Sequence, residues 1–201
     1  MEQTKKVLLI NTHLTYANWS EGTLNASFHQ KAKEFFQAHN FEVLETKVED
    51  GYDANQEVEK HIEADIIILQ TPINWFGAPW IYKKYVDDVF NSGLQSEKFL
   101  AGDGRTREDA TKQYGTGGKM QDKKFMVSAT WNAPKASFDD PNQVLFEGRS
   151  TADALIQITS NYRFCGVDIV SDYNYFDIFK DGDILGTLEN YPAHLAKVFE
   201  L

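Results

Sequence analysis

Residues 65 to 70, Asp-Ile-Ile-Ile-Leu-Gln, set four aliphatic side chains in a row between polar ends. A strand with one wet face alternates apolar and polar residues, so an unbroken apolar run fits a strand covered on both faces. Such strands belong to parallel sheets, where a crossover helix separates each strand from the next. The rest of the chain repeats this rhythm. Lys6 to Asn11 reads as a strand, and Leu24, Phe28, Ala32 and Phe35 recur at helical spacing within a helix from about 22 to 39. Phe41 to Thr46 alternates as a second strand, and Asp53 to Glu63 carries Val58 and Ile62 on one helical face. Pro79 suits a first helical position, ahead of a stripe of Ile81, Tyr82, Tyr85, Val86, Val89 and Phe90. Further on come a strand at Phe125 to Thr130, a helix over about 148 to 163 stopped near Gly166, and a fifth strand at Val167 to Asp172. A last helix is expected with Thr187 as its N-cap.

Five strands interleaved with helices predict an α/β domain, a doubly wound parallel sheet with helices on both faces. The flavodoxin-like strand order 2-1-3-4-5 fits the count. At 201 residues the chain suits a single domain over 1–201. Residues 91 to 122 interrupt the rhythm with six glycines and many charges, and read as a long glycine-rich insertion, functional or mobile.

Composition narrows the function. The formal charge of -10 repels phosphate backbones and argues against nucleic acid as a partner. The single cysteine, Cys165, excludes an internal disulfide and reads as a small core residue. The apolar stretch Val7 to Ile10 is far too brief for a signal segment or a membrane span, so the expectation is a soluble cytoplasmic protein with no membrane partner. His13, His29, His39, His61 and His194 share no ligand spacing, and no metal site is expected.

In doubly wound sheets ligands sit at the carboxyl ends of the strands, near the point where strand order reverses. Three loops are singled out. The first, residues 11 to 28, feeds a helix start with Ser20, Thr23, Asn25 and Ser27 as donors beside free backbone amides. It suits a phosphate held by neutral donors, or ordinary capping chemistry at Ser20 and Gly22. The second is Thr71-Pro72-Ile73-Asn74-Trp75-Phe76-Gly77-Ala78-Pro79-Trp80, a stiffened turn carrying aromatic rings. Trp75 and Phe76 suit either the face of a planar heteroaromatic ligand or the core, and Trp80, inside the helix, reads as core. The third, Thr130-Trp131-Asn132-Ala133-Pro134, repeats the recipe at the adjacent strand end, so the two turns would face each other across a slot.

These residues resemble a known family. Gly77-Ala78-Pro79-Trp80 with Lys83 to Phe90, Asp103-Gly104-Arg105-Thr106-Arg107, Lys112-x-Tyr114-Gly115-x-Gly117-Gly118 and Thr130 to Pro134 are similar to the bacterial modulator of drug activity B proteins, flavodoxin-like NADPH:quinone reductases related to DT-diaphorase. The resemblance runs over nearly the whole chain, including Gly22-x-Leu24-Asn25. It implies an FAD site. Ser20, Glu21, Gly22, Thr23, Leu24, Asn25, Ala26 and Ser27 would hold the pyrophosphate and ribityl chain. Ile73, Asn74, Trp75 and Phe76, with Thr130, Trp131, Asn132 and Ala133, would line the isoalloxazine, and Tyr114 would touch it from the insertion. Ile73 and Asn74 depart from the glycine and tryptophan expected there, which alters the pocket's shape. The implied reaction is ping-pong: NADPH delivers a hydride and leaves, then a quinone takes both electrons. No side-chain acid or base is assigned. Arg105, Arg107, Lys112 and Lys119 suit either the nicotinamide phosphates or a solvated loop. Relatives also imply a homodimer. Two other readings stay open: an FMN-dependent azoreductase or nitroreductase-like flavoprotein, and a non-catalytic flavodoxin-like electron carrier.

Overall fold

A computed structural model of the chain describes residues 4–180 and 183–201. Strands β1 (Lys6–Asn11), β2 (Glu42–Lys47), β3 (Ile66–Pro72), β4 (Lys124–Thr130), β5 (Asp168–Ile169) and β6 (Tyr173–Tyr175) form one sheet. Its order is β2-β1-β3-β4-β5, with β6 also on β4, and every pairing is parallel. The helices are α1 (Thr23–Ala38), α2 (Ala54–Glu63), α3 (Trp80–Gln95), α4 (Thr151–Ala154), α5 (Ile156–Phe164) and α6 (Ile184–Phe199).

The aliphatic run does what its pattern demands. All of β3 is buried, and its side chains alternate between two cores. Ile67 and Leu69 join Leu8, Ile10, Phe125 and Val127 beneath α2, α3 and α5. Ile66 and Ile68 join Val7, Leu9 and Met126 against α1 and α6. Burying each such side chain contributes roughly 1.5–3 kcal/mol. Cys165 lies in the first core, and burial pushes its thiol up to about 12, so it stays protonated.

Several sequence expectations need correction. Helix α3 continues to Gln95, so the long connection starts later than position 91. Gly93 is no breaker there: the Phe99 ring fills the place a Cβ would take, 2.4 Å away. The helix expected over 148–163 is two, split at Leu155, and the first starts with a Ser150–Asp153 capping box. The last helix is capped by Asp183, which accepts from the Gly186 amide at 2.9 Å; Thr187 lies inside it. The fifth strand is two short pieces. Phe125 pairs with Ile169 and Ser128 with Tyr173, so the edge carries one more residue than β4 between these pairs. That extra residue is a bulge, which bends the edge and re-aims the chain beyond it.

Pro79 stands at the N-cap of α3, one position before the helix. Trp80 is not core: it is 63% exposed. It precedes Lys83 and Lys84 by three and four residues, and so falls on the wet face of the stripe rather than the buried one.

Candidate functional site

The loops after β1, β3 and β4 meet at the carboxyl end of the sheet. The Ile73 amide donates to Thr130 O at 2.9 Å and ties the second loop to the third. Asn74 and Gly77 then exchange backbone hydrogen bonds, closing a two-residue turn at Trp75 and Phe76. Both carry positive φ, 49° and 69°. A primed hairpin turn demands this and usually takes Asn-Gly. In side-chain-bearing residues it costs of order 1–3 kcal/mol each. The turn therefore holds its rings outward against strain: Trp75 is 93% exposed and Phe76 53%.

The third loop is anchored differently. Trp131 is buried, its Nε1 donates to Asn174 Oδ1 at 2.7 Å, and its ring stands edge-on to Phe138. Its amide donates to Tyr175 O at 2.7 Å, and its carbonyl accepts from Ile178. The bulged edge thus carries residues 175–180 over the end of β4, bringing Asp177 and Phe179 to the site.

The first loop turns back at Tyr16 and Ser20, which exchange backbone hydrogen bonds, and sets the Tyr16 and Trp19 rings edge to face at 5.6 Å. Glu49 fixes this loop by accepting from the Thr15 amide and hydroxyl at 2.7 and 2.9 Å; the amide bond leads in holding its carboxyl below the usual range. His13 is buried, with Nε2 donating to Ser20 O at 3.2 Å. Its ring occupies the space a Cβ on Gly22 would need, 2.4 Å away, and Gly22 has φ 81°, so glycine is required there on both counts. Gly22 is the N-cap of α1 and offers no side chain, and the amides of Thr23, Leu24 and Asn25 have no acceptor among the described residues. An uncapped helix start leaves donors and a positive dipole end facing outward.

Two adjoining cavities fill the space between the loops. The smaller, about 270 Å³, is lined by His13, Ser20 to Asn25, Thr130 and Ile178. The larger, about 690 Å³, is lined by Tyr16, Trp75, Phe76, Trp131 and Ala133. Trp19, Ile73, Asn74, Asn132 and Phe179 line both. A polar end with open amides and an apolar end with flat rings suit a ligand that joins phosphate to a fused aromatic ring.

Most of the expected residues converge here. Ser20, Glu21, Gly22, Thr23, Leu24, Asn25, Ile73, Asn74, Trp75, Phe76, Thr130, Trp131, Asn132 and Ala133 line one cavity or both. Ala26 and Ser27 do not; the Ser27 hydroxyl turns back to Thr23 O at 3.0 Å. The amides of Ile73, Asn74 and Trp131 are already engaged, whereas those of Trp75, Phe76, Asn132 and Ala133 have no acceptor among the described residues. Tyr114 is elsewhere. It packs on Phe164 at 5.0 Å, under the Arg105 guanidinium, in a loop tied by the Met120 amide to Cys165 O. Cys165 precedes β5, so this is the opposite end of the sheet. Arg105 is paired with Asp103 at 2.6 Å and Lys119 bonds Glu97 O at 2.8 Å, while Lys112 lines an open basin in the loop. Sequence reasoning did not single out Tyr16, Trp19 or Phe179. The spacing Tyr-x-x-Trp in a polar loop was a usable signal; Phe179 depends on the bulge and had none.

Sheet order, open helix start and paired aromatic turns define a flavodoxin-like protein, and the chain belongs to that family: the model described as flavodoxin-like fold matches residues 5–193. Two relatives match over most of the chain. NADPH:quinone oxidoreductase MdaB of Haemophilus influenzae is 38% identical over 180 residues, 90% of this chain and 92% of its own. The Schizosaccharomyces pombe protein C5H10.05c is 36% identical over 194 residues, 96% of this chain and 97% of its own. The resemblance drawn from the motifs to the modulator of drug activity B proteins is therefore borne out. Among solved structures, a candidate quinone reductase from Klebsiella pneumoniae superposes with a TM-score of 0.75 at 21% identity, over 98% of this chain and 84% of its own, which establishes the shared fold.

Proposed function

We propose that the chain is an FAD-dependent NAD(P)H:quinone oxidoreductase, working in the cytoplasm as a homodimer. One observation carries the reading: an uncapped helix start and a strained aromatic hairpin share one two-part cavity at the switch point of the sheet. The kinship with a relative named NADPH:quinone oxidoreductase supports the same class. Bound flavin would supply the chemistry, accepting a hydride and returning two electrons. The protein's own part is to bind, orient and exclude water. The Thr23, Leu24 and Asn25 amides and the α1 dipole would hold the pyrophosphate, with no lysine or arginine lining the smaller cavity. The free amides at Trp75, Phe76, Asn132 and Ala133 would meet the polar edge of the ring system and favour charge there. Trp75, Phe76 and Phe179, all exposed, would form the walls of a quinone slot.

The test uses purified, flavin-loaded protein. Anaerobic stopped-flow mixing with NADPH should bleach the flavin's visible absorbance, and menadione should restore it. Heat-released cofactor should chromatograph as FAD; FMN alone would move the chain to the azoreductase-like class. A flavin that neither NADPH nor NADH reduces would sink the reductase reading.

A further inference from the structure

Beneath the smaller cavity three polar side chains from three elements lie in line. Gln70, near the end of β3, is 2% exposed and donates Nε2 to Asn25 Oδ1 at 2.8 Å. Asn25, in the first turn of α1 and also buried, donates Nδ2 to Thr130 Oγ1 at 3.4 Å. Thr130 ends β4 and lines the smaller cavity. Buried polar groups are costly unless satisfied, so the direction of this chain is constrained. Its one atom without a partner among the described residues is Gln70 Oε1, an acceptor. Turning Asn25 alone would press its NH2 against that of Gln70. Turning both amides would strand the Gln70 NH2 with its hydrogens buried, and orphaned donors are rarer than orphaned carbonyl oxygens. Donation therefore runs from Gln70 to Asn25 to Thr130. The Thr130 oxygen is already used as an acceptor, and its own hydrogen has no acceptor among the described side chains.

We propose that Gln70 is a positioning residue: through Asn25 it holds the Thr130 hydroxyl as a donor facing the cavity, where it bonds an oxygen of the ribityl-pyrophosphate chain. The proposal rests on the flavin reading above. In a cradle lined by no lysine or arginine, one neutral donor more or less matters to affinity. Gln70 touches no ligand itself, since it lines neither cavity.

The experiment is a double-mutant cycle read as flavin dissociation constants, by fluorescence quenching on protein stripped of flavin. Gln70→Glu keeps the shape but can only accept, so Asn25 reverses and the Thr130 hydroxyl donates inward. Affinity for FAD should fall roughly tenfold, the size expected for one hydrogen bond to a charged or strongly polar group. Thr130→Val should lose about as much. On the Thr130→Val background, Gln70→Glu should change affinity less than about twofold, because the relay has lost its end point. Gln70→Met, uncharged and unable to donate, provides the same comparison if the carboxylate impairs folding, and thermal unfolding of each stripped protein reports folding separately. If the Gln70 variants weaken binding equally with and without the Thr130 hydroxyl, or not at all, the relay is wrong. If wild-type protein takes up neither FAD nor FMN, the flavin reading beneath it fails instead.

Discussion

Trp75 and Phe76 hold a conformation that glycine adopts freely and bulky residues resist. The strain has a direct test. Trp75→Gly should stabilise the flavin-free protein by about 1 kcal/mol in denaturant unfolding, since the ring it removes is almost wholly exposed and makes little packing. The same variant should bind flavin more weakly and turn over more slowly; a loss of stability on introducing glycine would show that the turn is not strained. Trp75→Ala should also weaken flavin retention, whereas Lys84→Ala, which breaks an exposed pair with Asp88 and a cation–π contact with Tyr52, should leave it unchanged and cost about 1 kcal/mol. The sequence of this stretch disclosed a rigid aromatic turn, because Pro72, Gly77 and Pro79 are visible as letters. It did not disclose the primed turn, because neither central residue is one that favours positive φ. Gln70 was hidden for a related reason: at the end of a buried run it reads as a strand boundary, and only the third dimension sets it beneath Asn25.

At the scale of elements, α2 carries a buried ionic cluster on its inner face. Glu57, 2% exposed, accepts from Thr46 Oγ1 at 2.8 Å, Tyr85 OH at 2.6 Å and Lys60 Nζ at 2.7 Å, joining β2, α3 and its own helix. Glu57→Gln should cost about 1–3 kcal/mol of unfolding free energy by leaving one of these donors without an acceptor. One turn on, His61 is wholly buried among Tyr162, Phe99 and Phe90, with Nδ1 donating to Glu57 O at 2.8 Å. Burial pulls its pKa from 6.5 down to about 4. The folded state thus keeps this imidazole neutral while the unfolded chain protonates it below pH 6.5. Its contribution is complete above about 6.5 and is lost as pH falls toward 4, the loss amounting to about 3 kcal/mol at the lower end. Unfolding curves from pH 7 to 4.5 should show that decline, and His61→Phe should flatten that part of it; an unchanged slope would place the acid sensitivity elsewhere. Periodicity announced α2 through Val58 and Ile62, but the cluster reads in sequence as an ordinary polar helix face. The same limit applied at the sheet edge, where Val167 to Asp172 reads as one strand and the single extra residue is seen only against β4. The buried strands were legible because four adjacent aliphatic residues leave few alternatives; the bulge depends on β4, distant in sequence, whereas the Asp183 cap is a local contact with the Gly186 amide that competes with Thr187 as a second capping residue four positions on.

At the scale of the whole molecule, the larger cavity lies open on an apolar face of the chain. Trp19, Trp75, Phe76, Leu145 and Phe179 expose apolar surface around the larger cavity, a concentration that marks a covered face. Tyr114 and the basic loop lie at the far end of the same chain and cannot reach that cavity. We propose a two-fold dimer that would reconcile the two: each chain's loop would cover the other's pocket, and both pockets would be completed alike. Sedimentation should then give twice the 22.9 kDa chain mass. Complementation is the sharper measurement. Trp75→Ala and Tyr114→Ala homodimers should each be impaired at both sites. In a heterodimer of the two variants, one pocket collects both defects and the other collects neither, because its Trp75 and the incoming Tyr114 are both intact. Refolding the variants together should form heterodimers in about half the molecules, restoring about a quarter of the wild-type sites. If Tyr114 serves its own chain, no pocket is repaired, and the mixture will show only the average of the two impaired proteins.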